Sequence, residues 1–159
     1  MSLKNFAFAA LTALILSGCA SSNAPTMTPL EIQSLQSKEY EAKKELVFPS
    51  VVSVFQDLGY TIANADIASG LISAESSTES NVGYQILTGT SLTNQTRATG
   101  FVEQIGSKTK VRLNFVVVSQ TSSGWGQSNR SDKPILDAKV YENAFEKIDS
   151  AIFLRKNSQ

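Results

Sequence analysis

The chain has 159 residues, of which 42 % are apolar and 18 % charged, and it contains no histidine. Its 14 basic and 14 acidic residues balance, and no basic stripe breaks that balance, so the electrostatic footprint of a nucleic-acid binder is missing. Without histidine the chain also lacks the commonest general base, metal ligand and physiological pH switch.

The first segment reads in three parts. Lys4 places a positive charge near the start, Phe6 to Leu16 form an apolar run broken only by Thr12, and Leu16-Ser17-Gly18-Cys19 follow. Eleven helical residues span about half of a roughly 30 Å hydrocarbon core. A charged start, a short apolar middle and a small-residue end predict a secretory signal rather than a permanent membrane span. Cys19 is the only cysteine, so it forms no internal disulfide.

The tetrapeptide "LSGC" resembles the lipobox of bacterial lipoproteins. That resemblance implies cleavage between Gly18 and Cys19, a diacylglyceryl group on the Cys19 sulfur and an acyl group on the new amino terminus. No other cofactor is expected. One acyl chain holds a protein to a membrane only marginally, whereas two or three hold it stably. Ala20 stands where an aspartate tends to retain enterobacterial lipoproteins at the inner membrane. The same resemblance therefore implies lipid anchoring at the outer membrane, with the domain facing the periplasm.

Residues 20 to about 34, "ASSNAPTMTPLEIQS", are rich in polar residues and proline, which predicts a flexible tether. Met27, Leu30 and Ile32 are its apolar exceptions and candidates for docking it onto the domain. The organisation expected is a signal over 1–18, a lipidated cysteine and tether over 19–35, and one domain over 36–159.

Within the domain, "KEYEA" is a candidate first strand. "KELVFPSVVSVFQDLGYTI", residues 44–62, reads as a helix followed by a strand, with Val51, Val52, Phe55 and Leu58 on one face. Pro49 is expected in the first turn, which would start the helix near Leu46 to Phe48. Gly59 suits a left-handed C-cap. Tyr60–Ala65 and Leu71–Glu75 are expected to pair antiparallel across the turn at residues 68–70. Asp66 and Asp57 suit turn and helix-end roles.

"RATGFVEQI" and "KVRLNFVVV" read as a hairpin about Gly106-Ser107. Val111, Leu113, Phe115 and Val117 are expected on its core face, with Lys110, Arg112 and Asn114 on the other until Val116 and Val118 make the far end apolar on both faces. The last helix is expected after an Asp137 N-cap. Its stripe comprises Tyr141, Ala144, Phe145, Ile148 and Ile152, widened by Phe153. The fold class expected is α+β, an antiparallel sheet of about four to five strands with two helices packed on one face.

"FQDLGYTIANADIASGLISAE" and "DAKVYENAFEKIDSAIFL" are similar to stretches of a group of small bacterial lipoproteins. The element order resembles the helix-grip domains of BamC-type lipoproteins, accessory parts of the outer-membrane β-barrel assembly machine. Neither resemblance brings a catalytic motif, and fold analogy does not carry function.

Two segments are candidate contact sites. Residues 78–96 make a long connection whose Tyr84, Ile86 and Leu87 would bind a partner or touch a membrane. The alternative is a mobile insertion or an extra element covering the sheet. The expected loop at residues 121–134 sets Trp125 between two glycines, either as an exposed interface anchor or folded back onto its sheet edge. Arg130 and Lys133 are weak candidates for phosphate head groups.

The acids Glu41, Glu45, Asp57, Asp66 and Glu75 show no recognisable metal-ligand spacing, and no phosphate loop follows a strand. The leading expectation is a non-enzymatic scaffold or accessory subunit of an envelope complex, bound to the membrane by its anchor and to a protein partner. The alternative is a module holding a lipid or small hydrophobic ligand between helix and sheet.

Overall fold

The structure, a computed structural model, describes residues 27–80 and 90–158. In chain order these form α1 (Pro29–Leu35), β1 (Ser37–Tyr40), α2 (Lys44–Asp57), β2 (Thr61–Asp66), β3 (Leu71–Glu75), β4 (Glu79–Ser80), β5 (Thr90–Ile105), β6 (Lys108–Ser123), β7 (Ser128–Pro134) and α3 (Ala138–Asn157). The fold is α+β. Its antiparallel sheet has seven strands rather than four or five, in the order β1-β6-β5-β3-β2, with β4 on β5 and β7 on β6.

The two helices expected in the domain form by local rules. Asp137 caps α3, accepting a hydrogen bond from Lys139 N at 3.0 Å. The five stripe residues Tyr141, Ala144, Phe145, Ile148 and Ile152 are all buried. Phe153 is not part of the stripe. It is 66 % exposed, because the residue after Ile152 lies a further 100° around the helix and has turned away from the sheet.

Helix α2 ends as expected. Gly59 has φ +85, Gly59 N donates to Gln56 O and Tyr60 N to Phe55 O, each at 2.9 Å. That pair of bonds is the Schellman closure, and its left-handed residue carries no Cβ penalty only when it is glycine. The start of α2 differs from expectation. It begins at Lys44, so Pro49 is its sixth residue and lies inside the helix. The bond that proline cannot make would have ended on the carbonyl of Glu45, an exposed first-turn residue whose oxygen water can satisfy. From the sheet, Gln104 Oε1 accepts from Lys44 N at 2.7 Å and supplies the cap that Lys43 does not.

Strands β5 and β6 pair continuously from Ile105–Lys108 to Thr90–Ser123. At about 3.3 Å per residue each runs for about 50 Å, and the two halves differ. In the first half Ala98 and Val102 face Phe115 and Val111 across the ladder, with Ile72 and Ala74 beside them on β3. All are buried in one cluster with the inner faces of α2 and α3, which pack together. Phe115 stands at the centre, its ring 5.3 Å from Tyr141, 6.2 Å from Phe55 and 6.1 Å from Tyr60. Side chains therefore fill the space between helices and sheet. Arg155 of α3 ties the helices further, donating to Ser53 Oγ at 2.6 Å and Pro49 O at 3.3 Å.

The alternation on β6 holds for Val111, Leu113 and Phe115 but not to its end. Val117 is only half-buried, and Val118 on the opposite face is buried instead.

Three other expectations change. Residues 29–35, assigned to the tether, form α1. Thr28 Oγ1 accepts from Glu31 N, and Glu31 Oε2 accepts from Thr28 N at 2.7 Å. This capping box with Pro29 at N1 starts a helix in polar sequence. Leu35 packs against the core, and Gln36 O accepts from Leu113 N at 2.8 Å. Of the docking candidates, Ile32 is half-buried while Leu30 is exposed. Residues 121–134 are a hairpin rather than a loop, with β7 continuing along the β6 edge that β1 occupies lower down. Within 78–96, Glu79–Ser80 and Thr90–Thr96 are strand, pairing Glu79 with Asn94 and Ser80 with Thr93.

Candidate functional site: the distal arm and Trp125

Beyond the helices, β4, β5, β6 and β7 continue as a four-stranded arm. The seven β5 residues Thr90–Thr96 extend past the core by about 23 Å. The arm carries no charge from Thr90 to Thr96 or from Val117 to Asn129. Serine, threonine, asparagine and glutamine predominate on both faces, with Leu92, Val117 and Val118 as the apolar exceptions.

Trp125 stands at the tip. Ser123 N donates to Gln127 O at 2.9 Å and Gly126 N to Ser123 O at 3.1 Å, closing the turn between β6 and β7. Gly126 has φ +80, which lets the chain reverse without a Cβ clash. The indole is 96 % exposed. The alternative in which it folds back onto the sheet edge is thereby overturned: Gly124 and Gly126 offer it no side chain to lean on, and β7 is exposed along its whole length.

Two of the charged groups on β7 pair with each other. Arg130 meets Asp132 through Nε at 2.9 Å and Nη2 at 3.1 Å. The hydrogen bond from Arg130 holds the Asp132 carboxyl below the usual carboxylate range, and Asp132 in turn raises Arg130. Arg130 is thus engaged by a carboxylate rather than free for a phosphate, leaving Lys133 as the second candidate of that pair. Arg97 pairs with Glu75 at 3.3 Å. The Asp66 carboxylate serves its turn as expected, accepting from Ser69 Oγ, Ala68 N and Ser69 N, and those bonds lower its pKa.

Of the candidate site residues, Gly18, Cys19, Tyr84, Ile86 and Leu87 lie outside the described residues. Trp125 alone is placed. The arm itself escaped sequence reasoning, because "SNRSDKP" has neither alternation nor β-branched residues to mark a strand. A signal for α1 was present in Thr28-Pro29-Leu30-Glu31.

The arm offers an aromatic face and neutral hydrogen-bonding groups, which is the chemistry of recognition. Among the described residues, no helix is long and apolar enough to cross a membrane, and no group of three or more acids or cysteines could hold a metal ion. No family model matches the chain, and no curated protein matches it.

Proposed function

We propose that this chain is a lipid-anchored lipoprotein of the bacterial outer membrane. Its α+β domain, helix-grip-like in the way α2 and α3 lie against the sheet, faces the periplasm and serves as a non-enzymatic accessory subunit of an envelope complex. The observation that carries this reading is the run of Lys4, the apolar stretch Phe6–Leu16 and Leu16-Ser17-Gly18-Cys19, which places the only cysteine at the lipobox position. Trp125 supports the interaction half of the reading. A hydrated indole at the tip of a largely polar arm is the kind of anchor that protein interfaces bury at their centre. The absence of histidine and of nucleophile or phosphate motifs supports a non-catalytic role.

A module that holds a lipid or small hydrophobic ligand between helix and sheet draws less support. Phe55, Phe115 and Tyr141 occupy that space with at most 1 % exposure each.

The anchor is tested by Cys19→Ala. Palmitate fed to cells should label the wild-type chain and leave the variant unlabelled, as a soluble or uncleaved precursor. Equal labelling of both would remove the anchor from the reading. The partner is tested by cross-linking in intact cells, where recovery of the wild-type chain as a lone species would count against an accessory role.

A further inference from the structure

We propose that the groove between α1 and α3 docks a basic amphipathic protein segment, one apolar patch flanked by two lysines or arginines. The groove encloses about 690 Å³, within the usual 300–1,000 Å³ of ligand pockets. Its apolar lining comes from Met27 and Leu35 on one side and Tyr141 and Phe145 on the other.

The charges around that lining are unevenly satisfied. Glu31 is taken up by the Thr28 cap, which lowers its pKa through the backbone and hydroxyl hydrogen bonds of Thr28. Asp149 pairs with Lys38. Glu142 and Glu146 also line the groove, and neither carboxylate has a partner among the described residues. They are four apart on α3, so they stand on the same side one turn from each other. Two uncompensated negative charges thus border an apolar surface.

That combination selects its occupant. A fatty acid or anionic head group is repelled by both carboxylates. A neutral apolar ligand would desolvate them without compensation. A segment with two cations beside an apolar anchor satisfies charge and surface together, and the two sites of attraction fix its direction. The proposal concerns a different surface from Trp125 and is independent of lipidation, so the Cys19→Ala chain serves as well as the anchored one.

The test titrates the full chain, in nonionic detergent, against two labelled synthetic peptides followed by fluorescence anisotropy. Both carry a central Leu-Phe pair, flanked by lysines in one and by glutamates in the other. The lysine peptide should bind, with the glutamate peptide weaker by about tenfold or more, and added salt should narrow the gap. Glu142→Gln with Glu146→Gln should weaken the lysine peptide by about tenfold, with circular dichroism and unfolding midpoint unchanged. Equal binding of the two peptides, binding of neither, or full affinity in the double variant would each overturn the proposal.

Discussion

The same two strands, β5 and β6, pass through two regions that are built differently. From Arg97 to Ile105 and from Lys108 to Val116 the ladder alternates apolar and polar residues beneath two helices. From Thr90 to Thr96 and from Val117 to Ser123 the backbone pairing continues unbroken, yet the side chains are mostly polar, with Leu92, Val117 and Val118 as the apolar exceptions. Backbone hydrogen bonds are common to both halves, so they are not what distinguishes them. Burial of apolar area, roughly 25 cal/mol per Å², distinguishes the covered half.

The largest test of that contrast is Phe115→Ala. Phe115 is 1 % exposed and touches three other rings, so its removal should cost about 3–5 kcal/mol. Urea unfolding would measure it. A loss below about 1 kcal/mol would mean that the covered half is not held by its core.

Two buried tyrosines sharpen the comparison at about a third of that size. The Tyr141 hydroxyl donates to Ile135 O at 2.9 Å and lies within 3.5 Å of donors on Gln36 and Phe115. The Tyr40 hydroxyl has no hydrogen-bond partner among the described residues. Tyr141→Phe should therefore lose about 1–2 kcal/mol, while Tyr40→Phe should be neutral or gain up to about 1 kcal/mol. Equal losses in the two variants would show that Tyr40 is hydrogen-bonded after all.

Alkali probes the same layer. Burial raises the Tyr40 pKa, with the nearby Asp149 charge adding to it, and burial also raises Tyr60. Both folded values exceed the unfolded value of about 10. Above that pH the unfolded chain loses protons that the folded one keeps. The stability these groups confer is thus complete below pH about 10 and lost as pH rises towards the folded values. Tyrosine ring signals in NMR should show Tyr40 and Tyr60 still protonated above pH 10 until the fold gives way. Ionisation of both near 10 in an intact fold would contradict this.

What the sequence made legible follows the same division. The stripe on α3, the Asp137 cap, the Gly59 closure and the hairpin about Gly106-Ser107 are all encoded within a few residues, and each is found. Strand β7 is not encoded that way. Ser128–Pro134 becomes a strand because β6 runs on past the helices and presents an open edge, a fact that no local window contains. Helix α1 was legible in its capping box but was masked by a composition rich in serine, threonine and proline. Pro49 misled because its cost depends on whether the carbonyl it orphans can reach water. For the candidate site, the sequence raised both fates of Trp125 and could not choose, since the flanking glycines permit either. The carboxylates of the groove gave a weak signal, two glutamates four apart, which gains meaning only once α1 lies across from them.

Trp125→Ala should have the smallest effect on folding and the largest on association. A side chain 96 % exposed contributes little to the folded state, so its loss should change stability by less than about 0.5 kcal/mol. Trp125 is also the only tryptophan in the chain, so intrinsic fluorescence reports on the arm alone. In the isolated chain the emission should be that of a hydrated indole, open to a soluble quencher. In the assembled envelope the ring should be protected, and cross-linking to the partner should fall in Trp125→Ala and partly recover in Trp125→Phe, which restores an aromatic face. Destabilisation by more than about 1 kcal/mol would make Trp125 part of the fold and dissolve the contrast between the two halves of the sheet. Undiminished cross-linking in the alanine variant would leave the contrast standing but move the contact elsewhere on the arm.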